Sequence, residues 1–325
     1  MAELILTNGD AAADLLAAAG FEATILAWRD VLHEGPVVPA PSLEALSEIR
    51  AAALAERFGL DFALIRSEFG ARDAVLHSHA RFDRIAIWVE HDLFDQLQLV
   101  QMLDFFAGEG RSEGVFLVQA DDFLGHQTPV SIRRFAVRER PVNAALLAAG
   151  RAAMAAVSAP TPEAVLAASL VASAELPFLA PAFRRFLEEL PDPVAGLSRT
   201  EEAMLDLIGE DRPAPVDLFR AALAREEAAF MGDWTFFRIL EDLAAACRPL
   251  VDGLAGAYAP LGDEAANRPY LTGPLELTAF GRSVLAGETD HAAINGIERW
   301  WGGTRLSGGA CWRYDRNKGT LMPPP

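Results

Sequence analysis

Residues 85–90 form an apolar run that ends at Glu90 and gives way at once to His91, Asp92, Asp95 and Gln96, while an apolar helical pattern continues to about residue 106. A strand that stops in a knot of ionisable side chains is how an open α/β sheet places a ligand outside its strand ends. Two earlier strand-like runs close in the same way. Residues 4–7 end in Asn8-Gly9-Asp10, and residues 23–28 end in Arg29-Asp30. Three such endings in one stretch of chain leave few folds open to it.

Between these runs lie helical patterns. Residues 11–19 read as a helix stopped by Gly20, and Gly35-Pro36 with Pro39 and Pro41 breaks the chain before a helix over 42–58 capped by Ser42. Helical material continues over 72–79, and a strand over 115–119 follows the helix over 94–106. Strands alternating with helices predict a parallel sheet covered on both faces, a doubly wound α/β domain over residues 1–130.

Alanine-rich helical stretches punctuated by Pro160, Pro162, Pro177 and Pro191 predict a helical connector over 131–195. Asp192-Pro193 then precedes Ser198 and Glu201, spaced as a capping box. Three helices (from 201, 216 and 234) followed by extended pieces at 250–258 and 275–277 predict a winged-helix-like domain over 196–290. The remainder, 291–325, carries Trp300-Trp301-Gly302-Gly303 and Cys311-Trp312-Arg313-Tyr314; so many aromatics should pack as a hairpin rather than stand in water. In this basic tail Arg299, Arg305 and Arg313 either close over the acidic strand ends or simply dock.

Charge limits the partners. The chain is acidic, with a formal net charge of −18: −13 over 1–130 and −9 over 196–290, against +1 over 131–195 and +3 over 291–325. Two acidic modules repel a phosphate backbone, which disfavours DNA. The third helix of the winged-helix pattern offers Arg238 against Asp233, Glu241 and Asp242, a poor reader of bases. No uncharged run reaches the roughly 18–20 residues of a membrane span. Two cysteines cannot build a disulfide framework, and Met1-Ala2-Glu3 lacks a basic leader, so the expectation is a cytoplasmic protein without a membrane partner.

Four segments together resemble a bacterial family known as domain of unknown function 1835. They are Asn8-Gly9-Asp10; Trp28-Arg29-Asp30 leading to Gly35-Pro36; Trp88-Val89-Glu90-His91-Asp92 with Asp95-Gln96-Leu97; and Leu277-Thr278 through Gly281-Arg282 to Leu285-Ala286-Gly287. The last is similar to the C-terminal region of the family's longer members. The resemblance implies the same domain division and singles out the same strand ends. It implies no catalytic role for any residue.

Each candidate residue has a plain role and a chemical one. Asp10 suits an N-cap, or with Asn8 it lines a pocket. Arg29 and Asp30 suit a mutual salt bridge, or Arg29 grips a ligand's anion. Asp92 and Asp95 suit a cap and a first-turn acid, which leaves Glu90 and His91 unexplained. Carboxylates crowded round His91 should raise its pKa and tune a general acid or base. With Asp10 and Asp30 they would also suit a divalent cation, and Asp121-Asp122 would add oxygens. Gln96 belongs to the same ligand-binding set. Asp95, Gln98, Gln101 and Asp104 make a polar stripe whose glutamines reach a pocket or bond buried backbone. His77 and His79 read as packing or surface histidines. No G-x-G-x-x-G, P-loop or H-E-x-x-H is present, so no nucleotide cofactor or zinc motif is indicated.

Two functions follow from these residues. One is a hydrolase or transferase for a small polar or phosphorylated metabolite, with Glu90, His91 and Asp92 as its acid/base groups. The other is a non-catalytic ligand sensor or protein-interaction module whose winged-helix-like domain does not primarily bind DNA.

Overall fold

The computed structural model describes residues 2–325. These fall into two compact units, one running to Phe183 and including Trp301–Thr304, the other made of Arg184–Trp300 and Arg305–Pro325.

In the first unit the order is β1 (Glu3–Thr7), α1 (Asp10–Ala18), β2 (Thr24–Ala27), α2 (Leu43–Phe58), α3 (Phe62–His77), β3 (Arg84–Val89), α4 (Leu93–Gly108), β4 (Val115–Gln119), β5 (Arg140–Pro141), α5 (Ala144–Val157) and α6 (Glu163–Ser169). The sheet order is β2-β1-β3-β4-β5. The first four strands are parallel, while β5 runs antiparallel on the edge of β4. Pro141 in that two-residue strand lacks an N–H to donate, and an edge is where a strand tolerates that.

Strand alternation supplies two cores. Leu4, Leu6, Ile85, Ile87, Val89, Val115 and Leu117 pack on one face with Leu99, Leu103 and Phe106 of α4 and Leu146 of α5. Ile5, Ala86, Trp88 and Val118 pack on the other with Ala12 and Leu16 of α1 and with Leu124, Ile132 and Phe135. The result is the expected doubly wound, three-layer arrangement. Helices α4 and α5 approach so closely that a Cβ on Gly150 would lie 2.3 Å from the Cβ of Leu103. Residues 131–183, read from the sequence as the start of a connector, pack with this sheet as part of the first unit.

Helix α7 (Leu179–Leu187) carries the chain into the second unit, which contains α8 (Arg199–Asp211), α9 (Pro215–Ala224), α10 (Asp233–Ala245), β6 (Val251–Asp252), α11 (Glu264–Thr272), β7 (Glu276–Leu277), α12 (Ala279–Leu285) and α13 (His291–Asn295). Three helices followed by the antiparallel β6–β7 ribbon reproduce the winged-helix order. The wing itself holds α11, which the sequence reading did not foresee; Pro269 inside it disguises the helix. The capping box at Ser198 and Glu201 is present in both directions. Strands β8 (Ile297–Trp301), β9 (Thr304–Gly308), β10 (Arg313–Asp315) and β11 (Thr320–Met322) form two small sheets, β8–β9 and β10–β11. Among the described residues no helix is long and apolar enough to cross a membrane.

Candidate functional site

The sheet order reverses between β1 and β3: from β1 the chain moves outward to β2, then returns past β1 to β3. In an open α/β sheet this switch point opens a crevice outside the strand ends. Asn8 follows β1 there and Glu90 follows β3. Glu90, Asp92 and Asp95 each bring a carboxylate oxygen to within 4.8 Å of the others, and all three are buried.

Local structure fixes the trio. Asp92 is the N-cap of α4, its Oδ1 accepting from the Asp95 amide at 3.1 Å. Asp95, in the first turn, accepts from the Glu90 amide at 2.6 Å and, through Oδ2, from Asn8 Nδ2 at 2.9 Å. Glu90 Oε1 accepts from the Leu124 amide at 2.6 Å, and Gln96 Nε2 donates to the Glu90 carbonyl at 2.7 Å. The expected cap and first-turn acid are therefore real. They coexist with an approach that capping does not require, that of the Glu90 carboxylate to within 4.8 Å of those of Asp92 and Asp95.

Electrostatics distinguish this trio from a salt-bridge network. Burial raises the Glu90 pKa against the amides that hydrogen-bond to it. Burial and then the Glu90 charge hold Asp92 well above the carboxylate range, while burial with the charges of Asp92 and Glu90 does the same to Asp95. No cationic side chain is among the main influences on any of the three. Carboxylates this close and this dry cannot all ionise unaided; protons or a cation must make up the charge.

His91 departs from expectation. Its pKa is lowered, because burial outweighs the pull of Asp122 and Asp121. The half-buried ring lies against Phe123 and Phe178, at 5.1 and 5.9 Å between centroids, and its Nδ1 has no partner. A neutral imidazole beside the trio is a base rather than an acid.

Several expected members are engaged elsewhere. Asp10 does not cap α1: Gly9 occupies that position without a side-chain bond, and Asp10 pairs with Arg29 at 2.5 Å in the open. Arg29 and Asp30 do not pair with each other. Arg29 has a φ of 51°, uncommon for a residue with a Cβ, and the two side chains part there. Asp30 turns into the protein and meets Arg50 at 2.5 Å, both fully buried, and Arg72 at 3.4 Å. Arg72 also bonds Asp73 and Ser47 and lies 4.5 Å over the Trp28 ring. Asp121 and Asp122, although next to the site in the sheet, pair outward with Arg138 and Arg134. Neither Asp10, Asp30 nor this aspartate pair joins the trio.

The tail arginines are also committed. Arg299 binds Glu201 and the Glu189 carbonyl, Arg305 binds Glu298, and Arg313 binds Asp290 and the Asp192 carbonyl. His77 pairs with Glu44 and His79 with Glu109, in keeping with packing and surface roles. Arg238 is held by Glu241 and Asp242.

Sequence reasoning missed Arg50, Arg72 and the Leu124 amide, for no local pattern ties them to the strand ends. Gln98 was visible only as part of the stripe; its Nε2 donates to the Asp30 carbonyl at 3.0 Å and so supports the second strand end. Neither a scan against protein-family models nor a search of curated proteins returned a match.

Proposed function

We propose that the first unit is a hydrolase or transferase acting on a small polar or phosphorylated metabolite, with its reacting centre at Glu90, His91 and Asp92 and a divalent cation held by Glu90, Asp92 and Asp95. The observation that carries this reading is the buried carboxylate trio at the switch point, with no cationic side chain among its main electrostatic influences. A bound divalent ion would supply that balance and activate a water or polarise a substrate oxygen. His91, neutral near pH 7, is the base, and Asn8 orients Asp95. Arg29 follows the neighbouring strand β2, but its exposed pairing with Asp10 makes it a rim residue at most. Three of the four segments that resemble domain of unknown function 1835 end at this same sheet edge, which supports reading those polar strand ends as a site; the fourth, from Leu277 to Gly287, lies in the second unit.

Calorimetric titration with Mg²⁺, Mn²⁺ and Ca²⁺, followed by screening of phosphoester, nucleotide and amide substrates with and without the bound ion, tests the proposal. Binding lost in Asp92→Asn and Asp95→Asn is expected. Activity unchanged by joint His91→Ala and Glu90→Gln substitution would reject the assigned roles.

One observation favours the rival reading, a ligand sensor that contacts protein. The third helix of the winged-helix order has its only arginine, Arg238, taken up by two acids of the same helix. Tight binding of random duplex DNA at low salt would count against this reading of the second unit.

A further inference from the structure

A cavity of about 570 Å³ lies away from the strand ends, between α4, α5 and the start of α2. That is within the size range of small-molecule sites. Leu43, Phe105 and Met154 supply apolar wall, and Gln101 and Asp104 of α4 also line it.

Gln101 is the informative residue. It is 3% exposed, and its Oε1 accepts from Trp28 Nε1 at 2.7 Å. An indole N–H only donates, so the amide oxygen must face Trp28 and the NH₂ must face away. That Nε2 is buried and has no hydrogen-bond partner. A buried donor left unpaired is rare in a folded protein and calls for an acceptor.

Three residues along the same helix face stands Asp104, whose Oδ1 takes the Arg151 guanidinium at 3.2 Å. Glu109 and His77 also line the cavity, and the cations there are already taken: Arg151 by Asp104, His77 by Glu44. A free anion is poorly served there. An uncharged ring that offers an acceptor beside a donor fits better: carbonyl to the Gln101 NH₂, N–H to the Asp104 carboxylate, flat faces against Phe105 and Met154.

We propose that this cavity binds an uncharged cyclic amide, the lactam edge found on a nucleobase, and that Gln101 and Asp104 read its C=O and N–H. The site is separate from the carboxylate trio and does not depend on its chemistry.

Calorimetric titration of the full chain with uridine and inosine tests this, with N3-methyluridine and uridine 5′-monophosphate as probes lacking the N–H and carrying an anion. Two variants accompany them. Gln101→Glu keeps an acceptor for Trp28 but removes the donor. Ala155→Phe fills the cavity from an exposed wall position, where a larger side chain leaves the core intact. Binding of uridine or inosine that weakens at least about tenfold in each variant and with N3-methyluridine is the expected result. Three results would each overturn the proposal: neither nucleoside binds at millimolar concentration, Ala155→Phe binds as well as the parent, or the monophosphate binds as tightly as uridine.

Discussion

Asn8 and Asp95 are 87 residues apart in sequence, yet the Asn8 amide donates to the Asp95 carboxylate at 2.9 Å and ties the end of β1 to the first turn of α4. It is a neutral donor where a salt bridge would put an arginine. The carboxylates around it therefore keep their appetite for protons, and the first two expectations follow from that.

Stability should fall as pH rises through the trio's range. Glu90, Asp92 and Asp95 all have folded-state pKa values above their ordinary values of 4.5, 3.8 and 3.8, so the folded protein holds protons that the unfolded chain has released. Their contribution is complete below about pH 4 and is lost as pH climbs through the raised values. Urea denaturation from pH 4 to pH 9 should show this decline, and the joint variant Glu90→Gln, Asp92→Asn should flatten it. A decline of equal slope in the variant would place its origin elsewhere.

A divalent cation should reverse the trend. Since ions compete with protons for the same oxygens, Mn²⁺ or Mg²⁺ should raise the melting temperature more at pH 8 than at pH 5. At a hundredfold excess over its dissociation constant, the gain is about 2.7 kcal/mol. Asp95→Asn should remove it.

Neighbouring residues 29 and 30 should respond very differently to truncation. Arg29→Ala breaks an exposed pair and should change stability by less than about 1 kcal/mol. Asp30→Ala leaves Arg50 buried without its counter-charge, takes from Arg72 one of its two acids, and should lose about 3–5 kcal/mol. Chemical denaturation of both variants at pH 7 checks the contrast; equal losses would refute it.

Gly281 should tolerate no side chain. A Cβ there would lie 2.1 Å from the Leu250 carbonyl oxygen, so α12 can pack on the end of β6 only without one. Gly281→Ala should lower the stability of the second unit by about 1–3 kcal/mol, read by its thermal transition.

What could be read from sequence was what local pattern controls. The ends of β1 and β3 were plain because an apolar run stops where a buried strand meets water, and Asp92, Ser42 and Ser198 were plain because a cap acts over three residues. The partners of Asp30 lie 20 and 42 residues further along on α2 and α3, so Arg29, its immediate neighbour, was the obvious and mistaken choice. The direction of the His91 shift was misjudged for a related reason. Adjacent carboxylates are visible in sequence, whereas the burial that outweighs them is not. Gln101 showed its position in a stripe, but neither Trp28 on one side nor an open cavity on the other.

The short segment Trp301–Thr304 belongs to the first unit, although the sheet's last strand ended at residue 141. Trp301 is buried with its ring 5.3 Å from His33, the Gly302 carbonyl accepts from the Val37 amide, and the Gly303 amide donates to the Val157 carbonyl. Domains ordinarily fold as units in the order in which they are synthesised. Here the first unit is complete only once residues 301–304, which follow most of the second unit in the chain, have been added. A chain ended before residue 301 would keep all five strands of the sheet and lack the indole that packs on His33.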